Sequence, residues 1–194
     1  MCLDQSQEQD SWAGVHAIAQ GYGTTENGTN GLLLEVNVTV ISNQDCREML
    51  RHNATRRLVR NKVKKALPGG LTGMFCSQGE QNEEGVFAAT CPGDSGGPLI
   101  TRDLEREERK TLIGIVSGGA GCGQGVPVWY TDISYHADWF NCILDKTSRY
   151  FAGGKFNQKK VEEECKSKVQ PLPTCIKEMD LLIRDEDDTT RLCN

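Results

Sequence analysis

Two apolar, β-rich runs, Val15–Gln20 and Leu32–Ile41, flank a loop of Gly, Asn and Thr near the start of the chain. That pattern predicts strand, loop, strand. Residues 47–65, REMLRHNATRRLVRNKVKK, are basic and compatible with a helix, which Pro68-Gly69-Gly70 would end. An acidic loop follows at 77–85, and a Gly-rich turn within 86–100 leads into apolar Leu99-Ile100. Residues 103–110, DLEREERK, read as the charged tip of a hairpin. Leu112–Ser117 reads as a short buried strand, and Val126–Ile133 as another beyond a Gly-rich stretch. Tyr135–Leu144 carries Trp139, Phe140, Ile143 and Leu144 at spacings of three and four, the mark of a closing amphipathic helix. Beyond Asp145 the composition shifts: residues 146–194 are rich in Lys and Glu, hold three cysteines and contain the acidic run Asp185–Asp188. The predicted organisation is one domain over 1–145 and a charged, Cys-containing extension over 146–194, with no internal repeat.

Composition narrows this further. Twenty-one glycines with only 6% aromatic residues suit an all-β chain with many tight turns better than a helical bundle. A net charge of −5 gives no reason to expect nucleic acid as a partner. No apolar stretch approaches the roughly 18 residues that would span a membrane. The opening MCLDQSQEQDSW is polar and lacks the apolar core of a signal peptide. Nine cysteines fall at 2, 46, 76, 91, 122, 142, 165, 175 and 193, with no C-x-x-C pair, which speaks against a zinc ribbon or a thioredoxin motif. No metal or cofactor is expected. Disulfides in an oxidising compartment are the better reading, and three N-x-[ST] sequons, at Asn27, Asn37 and Asn53, agree with a secreted, extracellular glycoprotein. A chain that reads as secreted, has no leader and counts an odd number of cysteines is expected to lack an N-terminal part.

Chemistry concentrates in Cys91-Pro92-Gly93-Asp94-Ser95-Gly96-Gly97-Pro98-Leu99. Glycines bracket a serine on a turn, so its hydroxyl can point outward while backbone N–H groups converge on one point. A tetrahedral oxyanion needs such donors at fixed positions with no bulky side chain in the way. A bare G-x-S-x-G is as easily a Gly-rich loop with a surface serine; eight consecutive matching positions are not. The segment resembles the nucleophile loop of the chymotrypsin/trypsin-like serine proteases. The resemblance runs on in the family's order over residues 1–144. Cys2-Leu3 resembles its C-L-P segment, and Ala17 to Thr24 its A-x-x-x-G-W-G-x strand, with Tyr22 for Trp. Val40-Ile41-Ser42-Asn43 with Cys46 resembles V-I-S-N…C, and Met74-Phe75-Cys76 resembles M-F-C-A. Gly114 to Ser117 with Tyr130-Thr131 resembles G-I-V-S-W-G…Y-T, and Trp139-Phe140 stands where the family has W-I.

The resemblance implies an all-β fold: an antiparallel six-stranded β-barrel over 13–134, the second of the family's two, with a closing C-terminal helix near 135–144 and the Cys-containing tail beyond. It implies that Ser95 is the nucleophile and that the N–H groups of Gly93 and Ser95 form the oxyanion hole. Asp94 would pair with a new N-terminus freed by zymogen cleavage. Ser117, Gly118 and Gly119 would form the backbone edge that hydrogen-bonds an extended protein or peptide substrate. Gly118 stands where the family has Trp, so a more open wall is expected there. Ala89 falls at the base of the pocket for the side chain before the scissile bond, where trypsin-like members carry Asp. Gly119 would leave one wall of that pocket open and Val128 would narrow the other. Burying Arg or Lys there without a carboxylate is costly, so small to medium apolar side chains are the expected preference. The implied disulfides are Cys46–Cys76 and Cys91–Cys122. The family's common third bridge would need cysteines at Ala17 and Thr101, and Cys2 in the family bridges to the propeptide. Cys142, Cys165, Cys175 and Cys193 are extra, and their pairing is open. The segment between Cys46 and Cys76 is longer than the family's and carries eight basic residues. It reads as a solvated helix or as a loop for a polyanion or partner.

Serine alone is a poor nucleophile; it needs a histidine base oriented by a third group. The family carries both on its N-terminal barrel. Of three histidines, His16 falls in a strand segment, His52 in the basic segment and His136 beside the terminal helix. None stands in an A-A-H-C context, and neither D-I-A-L nor I-V-G-G occurs. The expectation is a serine endopeptidase chain that holds the nucleophile without its base, is inactive alone, and leaves Asp94 without its ion-pair partner. Three readings stay open: a truncated product of an active protease gene, a non-catalytic homologue acting as a secreted binding module, and one polypeptide of a cleaved protease.

Overall fold

A computed structural model describes residues 2–3, 11–25, 28, 31–53, 67, 70–102, 110–151 and 157–169. Most of the expected hairpin tip, the later part of the basic segment and the tail from 170 lie outside these residues. Six strands build the domain: β2 (His16–Gly21), β3 (Leu34–Ile41), β4 (Met74–Gly79), β5 (Pro98–Arg102), β6 (Lys110–Gly119) and β7 (Val128–Asp132). They run in the order β6-β5-β2-β3-β4-β7, every neighbour antiparallel, and β7 returns to β6. The sheet is therefore a closed six-stranded barrel, which removes the exposed edges of an open sheet. A two-residue β1 (Cys2–Leu3) adds in parallel at Thr111 and Leu112 of β6. The all-β barrel expected from the sequence is the fold observed. Several strand bounds move: Leu34, not Leu32, opens β3, where its partner Gly21 ends β2; β6 runs Lys110–Gly119 rather than Leu112–Ser117 and β7 Val128–Asp132 rather than Val126–Ile133; and Ser77–Gly79, read as the start of an acidic loop, pair with β3 as the end of β4.

Alternation along each strand sorts side chains into two cores. Ala17, Ala19, Val38, Val40, Phe75, Leu99, Ile113, Val116, Val128 and Tyr130 fill the inside. The intervening positions Cys76 and Trp129 face outward, where α1 (Asn43–Asn53) covers them with Cys46 and Leu50, joined by Leu67 and Leu71. Ser42 caps that helix, accepting the Asp45 N–H at 3.0 Å and donating its hydroxyl to the Asp45 carboxylate at 2.6 Å. A disulfide joins Cys46 to Cys76, with Cα atoms 6.0 Å apart, and pins the helix to β4. Ala17 and Thr101 stand directly opposite each other on β2 and β5, where a bridge between those positions would have to lie.

The closing helix α2 (Ala137–Phe151) runs past Leu144, where the apolar pattern stops. A second helix, α3 (Gln158–Lys166), begins at Asn157, whose Oδ1 accepts the Lys160 N–H at 3.1 Å. Two contacts hold the pair together: a Cys142–Cys165 disulfide with Cα atoms 5.8 Å apart, and a Lys146–Glu164 ion pair at 2.6 Å. The partner of Cys142, open from sequence, is thus Cys165.

Candidate active site

The turn before β5 is shaped by its glycines. Gly93 has φ +104° and Gly96 φ +85°, conformations that L side chains rarely adopt. The Asp94 N–H donates to the Cys91 carbonyl at 3.1 Å, and the Gly97 N–H to the Asp94 carbonyl at 2.9 Å. Gly96 N–H to Val116 O and Val116 N–H to Gly97 O, both 2.9 Å, tie the turn to β6. A disulfide from Cys91 to Cys122, with Cα atoms 5.2 Å apart, holds its start. Ser95 is exposed at the crest. Among the described residues, neither its hydroxyl nor the N–H groups of Gly93 and Ser95 have a hydrogen-bond partner.

Asp94 is not left unpaired. Its Oδ1 accepts the Gly23 N–H at 2.7 Å and its Oδ2 the Cys91 N–H at 2.8 Å. A carboxylate between two amides forms charge-assisted hydrogen bonds, stronger than neutral ones. Thr24 N–H to Pro92 O, 2.9 Å, reinforces the same junction. Gly23 is buried against this carboxylate: a Cβ there would come within 2.5 Å of Asp94 Cγ. Beside the latch lies a cavity of about 570 Å³, lined among others by Ala19, Val36, Phe87, Ala89, Asp94 and Cys122.

Of the residues singled out from sequence, Ala89, Cys91, Asp94 and Cys122 line this cavity, whereas Gly93, Ser95, Ser117, Gly118, Gly119 and Val128 lie outside it. Val128 is buried in the inner core, its backbone paired with Gly119 and Ser77. Ser117 to Gly119 form an open edge: β6 pairs with β5 only as far as Ile115 but with β7 to Gly119, with a bulge at Ser117. At Gly118 the wall is not simply open. Trp129, its register partner on β7, fills the space, and a Cβ on Gly118 would lie 2.9 Å from the indole Nε1.

Behind the turn, Ser77 donates its hydroxyl to Tyr130 Oη at 3.1 Å. Burial pushes the Tyr130 phenol up to about 12, against the lowering effect of hydrogen bonds from Ser77 and Thr90; the Asp94 charge raises it further. Tyr130 is therefore a neutral hydroxyl at any physiological pH. Sequence reading passed over this group, although Ser77 falls two residues after inward-facing Phe75, a signal that alternation supplies. No histidine hydrogen-bonds Ser95 among the described residues. His16 is exposed on β2, its Nδ1 3.1 Å from Thr39 Oγ1. His52 sits in the last turn of α1. His136 packs edge-on to Tyr135, ring centres 5.1 Å apart, and burial holds its pKa below the usual value, partly offset by the Asp132 carboxylate. Among the described residues no cluster of three or more His, Cys, Asp or Glu could hold a metal, and no helix is long and apolar enough to cross a membrane.

A closed six-stranded barrel, tied by disulfides and presenting Gly-Asp-Ser-Gly-Gly on a turn beside an open strand edge, is the barrel of the chymotrypsin-like class. The Trypsin family model matches residues 1–140, and the chain belongs to that family of serine protease hydrolases. It is 39% identical over 116 residues to human transmembrane protease serine 11A, covering 59% of this chain and 22% of that protein. It is 33% identical over 127 residues to trypsin-1 of Astacus astacus, covering 64% and 44%. It is 30% identical over 146 residues to glucanase inhibitor protein 2 of Phytophthora sojae, covering 73% and 43%. The chain thus spans less than half the length of these relatives.

Proposed function

We propose that residues 1–145 are the nucleophile-bearing half of a serine endopeptidase, inactive by themselves and competent when a first barrel supplies the histidine base and its aspartate. One observation carries this reading: an exposed Ser95 whose flanking amides, Gly93 and Ser95, have no internal acceptors among the described residues. In this reading the Ser95 Oγ attacks the scissile carbonyl carbon and its proton passes to a base outside residues 1–194. The two amides take up the charge that develops on the carbonyl oxygen. The peptide lies antiparallel along Ser117–Gly119. Ala89, which lines the cavity and brings no carboxylate to it, favours a small to medium apolar side chain before the bond that is cut. Support for a separate first barrel comes from coverage, since the chain spans 22% to 44% of its relatives' lengths. Losing a general base costs about 10²–10⁴-fold, and triad members act as a unit worth on the order of 10⁶. The three disulfides among the described residues support an extracellular setting, as do the sequons at Asn27, Asn37 and Asn53 as places for glycans. Residues 146–194 form an extension beyond the protease-like unit, and no cofactor or metal takes part.

The test is labelling of the purified 194-residue chain with a fluorophosphonate probe. No labelling of Ser95 alone, with labelling gained on co-expression with a matching first barrel, is the expected result. Labelling of the isolated chain at the rate of an active protease would overturn it, and His52 and His136 would be the residues to mutate next. A second reading, a non-catalytic binding module, is favoured by the similarity to a protein named as a glucanase inhibitor. Under it, labelling stays absent in both preparations.

A further inference from the structure

Resting on the substrate edge and the Ala89 pocket proposed above, we infer that the pocket ends on the Thr90 hydroxyl and selects a neutral side chain with a hydrogen-bond acceptor at its tip, Asn or Gln. Size and lack of charge stay as in that reading; the tip changes from apolar to accepting. Three hydroxyls meet at one end of the barrel. Tyr130 is an inward residue of β7, and its ring stacks on Phe75 with centres 5.7 Å apart, which fixes the phenol oxygen. Ser77 donates to that oxygen at 3.1 Å, and Thr90 is its second hydrogen-bond partner. This end of the barrel is the one beneath the open edge, because Ser77 pairs with Val128 and Val128 with Gly119. A peptide lying along Ser117–Gly119 alternates its side chains between two faces. The reading above points one of them at Ala89, and Thr90 is the next residue.

Counting protons shows which hydroxyl is left to donate. Each carries one, and burial keeps Tyr130 protonated at physiological pH. Ser77 gives its proton to Tyr130, and the protonated phenol gives its own to Thr90, the partner that remains. The Thr90 proton is left over, and among the described residues it has no acceptor. Thr90 is also the end of this chain that a ligand can reach. Ser77 is 1% exposed and Tyr130 fully buried, whereas Thr90 is half-buried and lines the cavity of about 570 Å³ together with Ala89. Asn or Gln brings a carbonyl oxygen to that hydroxyl. Leu and Met match them in size but cover the donor and leave it unpaired, which costs the desolvation of the hydroxyl. A carboxylate meets Asp94 and Glu35, which line the same cavity and repel it. Lys brings donors and no acceptor.

The test uses the 194-residue chain and blocked peptides of sequence Ala-Ala-Xaa-Ala, with Asn, Gln, Leu, Met, Glu or Lys at the third place. Proton–nitrogen correlation spectra report the backbone amides of Ser117 to Gly119, which follow docking at the edge, and those of Ala89 and Thr90, which follow the pocket. In at least one pair, Asn against Leu or Gln against Met, the amide side chain should bind about 3- to 10-fold more tightly, the span a neutral hydrogen bond provides. Glu and Lys should bind most weakly. Thr90→Val keeps the shape and removes the hydroxyl, so the preference should vanish; Thr90→Ser keeps the hydroxyl and should keep the preference. Should Thr90→Val fail to fold because Tyr130 loses its acceptor, Thr90→Ala serves, since it leaves room for a water there. Peptides that shift the Ser117 to Gly119 amides without this preference, with Lys bound most tightly, or with a preference that survives loss of the Thr90 hydroxyl, overturn this inference and leave the edge standing. Peptides that move none of those amides overturn both.

Discussion

Removing the Asp94 carboxylate exposes how far the Ser95 turn depends on it. In Asp94→Ala two backbone donors, Gly23 N–H and Cys91 N–H, lose acceptors at 2.7 and 2.8 Å. A hydrogen bond to a charged group contributes about 1.5–3 kcal/mol. Asp94 is half-buried beside a cavity of about 570 Å³ lined by Gly23 and Cys91, so the loss falls toward the lower end, about 3–4 kcal/mol in all. Urea unfolding followed by tryptophan fluorescence measures it, and hydrogen exchange at the two amides localises it. Gly23→Ala approaches the same latch from the other side. Gly23 has ordinary backbone angles, so alanine brings no strain of its own, but its Cβ would lie within 2.5 Å of Asp94 Cγ and Oδ2. The carboxylate must swing away, and the Cys91 amide, 68 residues distant in sequence (91 less 23), should exchange faster. A stability loss below about 0.5 kcal/mol in Asp94→Ala, or a Cys91 amide unchanged in Gly23→Ala, would refute the latch.

Two further outcomes follow from particular contacts. His136 has a folded pKa below its unfolded value, so the unfolded chain binds the extra proton more readily; its contribution is complete above about pH 6.5 and is lost as pH falls through the folded pKa. The melting temperature of His136→Gln should therefore fall less than wild type between pH 7.5 and 5.5, and equal slopes would refute the assignment. Replacing Cys142 and Cys165 by alanine opens a loop with a sequence separation of 23, worth about 3 kcal/mol. Because the main contacts of α3 are with α2, the loss should appear as faster exchange in Gln158–Lys166 with the barrel's unfolding midpoint kept; protected α3 amides in the variant would contradict it.

Local pattern alone was enough for β2, β3, β6 and β7, the Ser95 turn and the closing helix, but not for β4, whose Ser77–Gly79 end reads in sequence as the start of an acidic loop. Alternation at Ala17, Ala19, Val38 and Val40 says which side chains face one way, and glycines around Ser95 say where the chain must turn. Family resemblance added the barrel, because six short strands by themselves do not say that β7 returns to β6. Which residues meet across strands was beyond either. A period of two determines faces, not neighbours; the register that closes the barrel selects the neighbours, and it is set by all six strands at once. So Gly118 reads in sequence as a missing wall, while in the fold Trp129 fills it from the next strand. Asp94 reads as a carboxylate awaiting an ammonium group, while in the fold two glycines some seventy residues upstream make room for it and Gly23 donates to it. Helix α2 runs to Phe151, past its apolar pattern, and beyond Leu144 its Lys146 pairs with Glu164 on another helix, a contact no local pattern announces. Residue types and their periodicity determined the elements and the chemistry on offer; only the closed barrel decided which partner each group received.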